Sequence, residues 1–178
     1  YMKDVGLWID SSDFPKYGKN KLSRKSDQWS FKLNGPGQRF QFLQNANCEV
    51  VHIWGGYSPK VNDQSWMNLM REWFQQHCTT VSIIGDCHYR VSIPKVKIIT
   101  PMPNPANKKN TDSVGIKQLT KEQQAKNKEI REVRSRVERV FGILDTKFAA
   151  LSKPFAEGDE QQNNLVKYAC AVLNFEKK

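Results

Sequence analysis

The sequence predicts an α/β fold, a mixed sheet of four or five strands flanked by helices. Two observations predict it. Apolar segments of strand and helix periodicity follow one another in the order strand, hairpin, helix, strand, long helix, helix, a pattern that layers helices over a sheet. Within the long helix, Ile130, Val133, Val137, Phe141, Leu144, Phe148 and Leu151 recur at spacings of three and four, which marks one buried stripe. A chain of 178 residues suits one domain with a real core and is short for two, so residues 1–178 are read as a single domain.

The elements follow in order. The first strand is the apolar run from Asp4 to Ile9, ending at Asp10 ahead of Ser11, Ser12, Asp13 and Pro15. Lys16 to Asn34 is polar and basic around Trp29 and Phe31, a loop whose aromatics predict that it touches something. Arg39 to Leu43 and Glu49 to Trp54 alternate about the turn-like Asn45-Ala-Asn47, which predicts a β-hairpin. Asn62 or Asp63 caps a helix whose apolar positions are Trp66, Leu69, Met70, Trp73 and Phe74. Val81 to Gly85 is a buried strand leading into Asp86. Pro94 to Pro105 holds four prolines and predicts an extended crossing, followed by a flexible basic segment from Asn107 to Gly115. Thr120 caps the long helix, which runs to about Leu151. The last helix, from about Asp159 to Phe175, carries Leu165, Tyr168, Ala169, Val172 and Leu173.

Composition narrows the partners. The net charge is +10, and the stretch from Lys95 to Arg139 holds 12 basic and 5 acidic residues, a net of +7. Such a concentration is either a solvated basic face or a surface for a polyanion such as nucleic acid. Apolar residues make up 38% of the chain and five are tryptophan, which argues against disorder. No apolar run approaches the roughly 20 residues of a membrane span, and no signal-peptide core is present at the N-terminus. The chain begins at Tyr1 shortly before a strand-like run, which suggests a fragment or processed product with a separate N-terminal domain outside it. Cys48, Cys78, Cys87 and Cys170 form no disulfide framework, which points to a reducing compartment. His77-Cys78 and Cys87-His88 could ligate zinc, but the intervening strand at about 3.3 Å per residue would hold the pairs too far apart.

The chemistry resides in carboxylates. Asp10 and Asp86 end apolar strands, where open α/β sheets place their ligands. Glu138 lies at the edge of the long helix's stripe, in line with Arg134 and Asp145 and among Arg131, Arg136 and Arg139. Taken singly these are ordinary residues: strand-terminal Asp often serves turns, and Glu beside Arg is usually a surface ion pair. Gathered in one crevice, three carboxylates would repel one another unless hard cations such as Mg²⁺ relieved them. Two such ions about 3.5–4 Å apart activate a water and stabilise the leaving oxygen of a phosphodiester.

At these residues the chain resembles the catalytic domain of a DDE-type transposase, nearest the Harbinger-like "DDE superfamily endonuclease" group. Leu7-Trp-Ile-Asp-Ser-Ser-Asp-Phe-Pro15 resembles the first motif, and Arg24, Lys25, Trp29, Ser30 and Lys32 the basic segment after it. Ile53 to Asp63 resembles the stretch with Gly, Ser and a later Asp before the first helix. Ile84-Gly-Asp-Cys-His-Tyr89 resembles the second motif, with Tyr three residues after Asp. Asn127 to Phe148 resembles the third, and Tyr168 to Phe175 the closing helix. Each motif is short; six in the family's order are specific.

The resemblance implies a ribonuclease H-like fold, a triad of Asp10, Asp86 and Glu138 holding two Mg²⁺ or Mn²⁺ ions, and DNA as substrate. Water would attack the phosphodiester, and the freed 3′-hydroxyl would then attack target DNA. Arg24, Lys25, Lys32, Lys60, Arg131, Arg134 and Lys147 are the expected DNA contacts. It further implies a homo-oligomer or a separate DNA-reading subunit, and a nuclear location in a eukaryote or a cytoplasmic one otherwise. The family's N-terminal helix-turn-helix region is expected to lie outside this chain. Departures are Ser11, where Gly commonly follows the first Asp, and Asp145, where Lys is usual, with Lys147 nearby. The rival expectations are a domesticated DNA-binding scaffold that does not cleave and an RNA-directed nuclease on the same fold.

Overall fold

The computed structural model describes residues 5–17, 23–103, 119–156 and 158–176, without the side chains of Val5, Arg136 and Val137. The segment expected from Asn107 to Gly115 lies outside the described residues. Strands β1 (Val5–Pro15), β2 (Trp29–Ser30), β3 (Gly35–Asn45), β4 (Val50–Tyr57), β5 (Ser82–Ile84) and β6 (Lys97–Ile99) form a curled mixed sheet. Its order is β2-β3-β1-β5-β6, and β4 also pairs with β3. β1 to β4 pair antiparallel, whereas β1, β5 and β6 run parallel. Among the described residues, four helices complete the fold: α1 (Asp63–Leu69), α2 (Arg71–His77), α3 (Lys121–Lys147) and α4 (Asp159–Glu176).

Strand alternation assigns the two faces. Trp8 and Phe14 of β1 turn to one face, where Trp8 packs with Ile84 and Ile130, and Phe14 with Phe42, Val140, Leu144 and Val166. α3 and α4 therefore cover that face. Ile9 turns to the other, with Leu43, Ile83, Trp66, Met67 and Phe74, which is the side covered by α1 and α2. Thr120 caps α3 in a capping box with Gln123, a reciprocal pair that fixes where the helix starts. Asn62, rather than Asp63, caps α1, accepting from the Ser65 N–H at 2.7 Å.

Several expectations are corrected. β1 does not end at Asp10 but continues to Pro15, because β3 keeps pairing with it as far as Pro15 opposite Gly37. Among the described residues the sheet has six strands: β2 and β6 lie where a loop and an extended crossing were expected. β6 is a three-residue edge strand with its flanking prolines outside the paired residues, a placement sheets tolerate. The expected single helix over 62–74 breaks at Met70 into α1 and α2, and Leu69 is left exposed while Met67 is buried. α3 ends at Lys147, with Phe148 as its C-cap and Leu151 packed beyond it. Tyr168, expected on the inner face of the last helix, is exposed, and Val166 and Cys170 take its place.

Candidate active site

β5 stops at Ile84, two residues before Asp86, and pairs with β1 only as far as Trp8, two residues before Asp10. Among the described residues, no strand pairs with that edge of β1 from Asp10 onward, which opens a notch. Asp10 shares the phase of Trp8 and Phe14 and so turns toward α3. Asp86 turns off the sheet as the cap of a 3-10 turn, Cys87–Tyr89, its Oδ1 accepting from the His88 N–H at 2.7 Å. Gly85 permits this turn, since a Cβ there would stand 2.8 Å from the Tyr89 ring. Glu138 reaches the notch from α3.

The result is one cleft of about 390 Å³ lined by Asp10, Asp86, Glu138, Lys32, Arg134 and Asp63, with Ser11, Ser12, Arg39, His88 and Phe141. Asp10 Oδ1 accepts from the Ser11 N–H at 2.8 Å. Arg134 Nη2 lies 3.0 Å from Glu138 Oε1 and 4.0 Å from Asp10 Oδ2, so those two oxygens are at most 7.0 Å apart, the sum of the two distances. Lys32 donates to the Ser11 carbonyl at 3.1 Å.

Burial pushes the Asp10 carboxyl up from 3.8 to about 6. The Ser11 N–H, Arg134 and Lys32 offset part of this, and neighbouring Asp86 adds to it. The folded state thus holds the Asp10 proton more tightly than the unfolded chain does, and the associated stability is lost as pH rises from about 4 to about 6. A change of that size costs the metal-free protein about 3 kcal/mol at neutral pH. Asp10→Asn is accordingly expected to stabilise the metal-free protein at pH 7 by up to about 3 kcal/mol and to match the wild type near pH 4. Urea unfolding in a chelator at both pH values measures this, and a variant no more stable at pH 7 than the wild type would contradict it.

A second layer supports the acids, and its members were not read from the sequence as site residues. Tyr89, three residues after Asp86, is buried, and its hydroxyl donates to Gln41 Oε1 and lies 3.4 Å from Asp63 Oδ1. Burial, with Asp63, Asp10 and Asp86 nearby, raises its pKa well above the usual phenol value, so it stays protonated as a donor. Gln41 Nε2 also donates to Asp63, at 2.8 Å. Beside them, Arg39 makes a bidentate pair with buried Asp13, at 2.7 and 3.1 Å, and Asp13 also accepts from Ser30 Oγ at 2.7 Å. Asp63 was legible in the sequence as a helix start beside Asn62 and as the later Asp of the Ile53 to Asp63 resemblance, not as a site residue.

The other expected DNA contacts lie outside the cleft. Arg24, Lys25 and Lys60 are exposed, and the Lys60 ammonium donates to the Lys25 carbonyl, which gathers them on one surface. Arg131 is exposed one turn before Arg134. Lys147 pairs with Glu176 of α4, about 20 Å along α3 from Arg134 at 1.5 Å per residue. Asp145 is exposed and does not line the cleft.

The donor set suits a hard divalent cation: three carboxylates from three separate elements, with Asp10 Oδ2 4.0 Å from Arg134 Nη2. Among the described residues, no three His, Cys, Asp or Glu side chains stand close enough to hold an ion in this conformation; Glu138 is drawn to Arg134 instead.

A family model described as "DDE superfamily endonuclease" matches residues 9–174. Comparison with curated proteins and with solved structures gave no match. The matched span takes in Asp10, Asp86, Glu138 and every helix that builds the cleft, and covers nearly all of the sequence. The chain belongs to the DDE superfamily endonuclease family.

Proposed function

We propose that the chain is the metal-dependent DNA-cleaving and strand-transferring domain of a transposase of Harbinger-like type, on a ribonuclease H-like fold, with Asp10, Asp86 and Glu138 as its acids. The observation that carries this is the convergence of those three carboxylates, from β1, the turn after β5, and α3, in one cleft with Lys32 and Arg134. A sheet that is antiparallel on one side of β1 and parallel on the other, with the acids at that seam, supports the fold assignment.

Asp10 and Asp86 would hold Mg²⁺ or Mn²⁺ with Glu138 completing the set, and the ions would activate water and stabilise the leaving oxygen. The chain's own residues do the rest. Lys32 and Arg134 supply donors for phosphate oxygens at the cleft. Tyr89 and Gln41 fix Asp63 beneath it, and the Ser11 and His88 N–H groups fix the rotamers of Asp10 and Asp86. Incubation of supercoiled DNA with Mg²⁺ or Mn²⁺ tests the activity: nicking that a chelator abolishes is expected. Retained DNA binding with no divalent-metal binding would favour the non-cleaving scaffold.

DNA affinity is expected to be mainly electrostatic. Lys32, Arg134, Arg131 and the Arg24–Lys25–Lys60 surface could neutralise four to six phosphates. A slope of log K against log salt of about −3.6 to −5.4 follows, a loss of roughly 150- to 1,800-fold between 50 and 200 mM salt. Fluorescence anisotropy on a random duplex measures it; a nearly flat salt response would rule out the phosphate contacts named here.

A further inference from the structure

Arg134 stands out because its position is explained neither by solvent exposure nor by a simple helical ion pair. Its Nη2 lies between carboxylates of two different elements, 3.0 Å from Glu138 on its own helix and 4.0 Å from Asp10 on β1. Its side chain is only 28% exposed, and its Nε is buried with no hydrogen-bond partner among the described residues. A guanidinium has five N–H donors, so in this conformation it neutralises acids while part of its donor capacity is unused. The same two acids belong to the set proposed above to hold a divalent cation, and a cation and a guanidinium cannot both neutralise them at close range.

We propose that Arg134 is a built-in counter-ion: it neutralises Asp10 and Glu138 while the site lacks metal, competes with the entering cation, and once released donates to a phosphate oxygen of bound DNA. This rests on the reading of the cleft as a metal-dependent nuclease site. It couples the two ligands. A cation frees Arg134 for phosphate, and a phosphate that engages Arg134 frees the acids for a cation, so each ligand should strengthen the binding of the other.

The structural reason is spacing. Arg134 precedes Glu138 by four residues, which stacks them on one face of α3. That places the guanidinium at the mouth of the notch, where Asp10 turns toward α3. Arg139 is also next to Glu138 in sequence but is exposed and does not line the cleft. It carries the same charge on the same helix without the contact.

The test is calorimetric titration of Mn²⁺ into the wild type, Arg134→Gln, Arg134→Lys and Arg139→Gln. These are joined by melting temperatures without metal and by DNA binding in Ca²⁺ and in chelator. Arg134→Gln is expected to bind Mn²⁺ at least about tenfold more tightly than wild type, to melt lower without metal, and to show a larger metal-induced rise. Arg134→Lys keeps the charge and should stay within about threefold of wild type, and Arg139→Gln should be unchanged. Wild-type DNA binding should gain about one phosphate in its salt slope when Ca²⁺ is added, close to 0.9, and Arg134→Gln should not. Equal Mn²⁺ affinity in Arg134→Gln and wild type, or equal tightening by Arg139→Gln, would overturn the counter-ion role and leave the nuclease reading standing. No Mn²⁺ binding by wild type or any variant would overturn both.

Discussion

Asp10→Asn, Asp86→Asn and Glu138→Gln are each expected to lower DNA cleavage by roughly 10³-fold or more, the scale seen when one member of a cooperating catalytic set is removed. The amides are the right probes because each keeps the contact that positions the wild-type side chain. Asn at position 10 can still accept from the Ser11 N–H, and Asn at position 86 remains as good a cap for the His88 N–H as Asp. Gln at position 138 can still accept from Arg134. What each loses is the negative charge that holds a hard cation. Fold and DNA affinity should therefore survive, and the measurement is cleavage of supercoiled DNA alongside anisotropy on the same preparations. Cleavage at the wild-type rate in any one variant removes that residue from the active site. Wild-type rates in all three would overturn the triad and place the cleavage on other residues.

The sequence makes the acids legible for different reasons. Asp86 is visible because β5 is a short, wholly buried run, Ser-Ile-Ile, and the first charge after it is Asp86. Glu138 is visible from helical phase, since an edge position beside a buried stripe can reach a cleft. Asp10 was placed in the right neighbourhood by an incomplete argument: its strand does not end there, and what ends is its parallel neighbour β5. Strand length depends on long-range pairing, in this case with β3 out to Gly37, and no local pattern encodes that partner. β6 was hidden for the same reason, because three residues beside a proline carry no period of their own. Arg39, Asp63 and Gln41 were missed because their meaning is relational. Each looks like an ordinary polar residue of a hairpin or a helix start until the sheet brings residues some 20 to 50 positions apart into one hydrogen-bonded group. Charge alone does not reveal that Lys147 pairs with Glu176.

Asp13→Ala is expected to destabilise the protein by about 3–5 kcal/mol, the usual result of removing one partner from a buried ion pair. The Asp13 side chain is fully buried and Arg39 is only 15% exposed. Burial opposes the Arg39 charge, yet the hydrogen bonds and charge of Asp13 outweigh it, and its pKa is held above the usual guanidinium value. Without Asp13 the guanidinium remains in place, tied to the Val61 carbonyl at 3.1 Å, with no carboxylate bonded to it. Ser30 also loses its acceptor, which loosens β2. Urea unfolding of Asp13→Ala, Arg39→Ala and the double variant separates the terms. The double variant should be less destabilised than the sum of the single ones, by about 1–3 kcal/mol, because it leaves no orphaned charge. Since Arg39 joins β3 to the segment that delivers Asp63, Asp13→Ala should also weaken cleavage at temperatures where it is still folded. A loss below about 1 kcal/mol would mean that water replaces the carboxylate at Arg39, and that the pair is not what fixes the floor of the cleft.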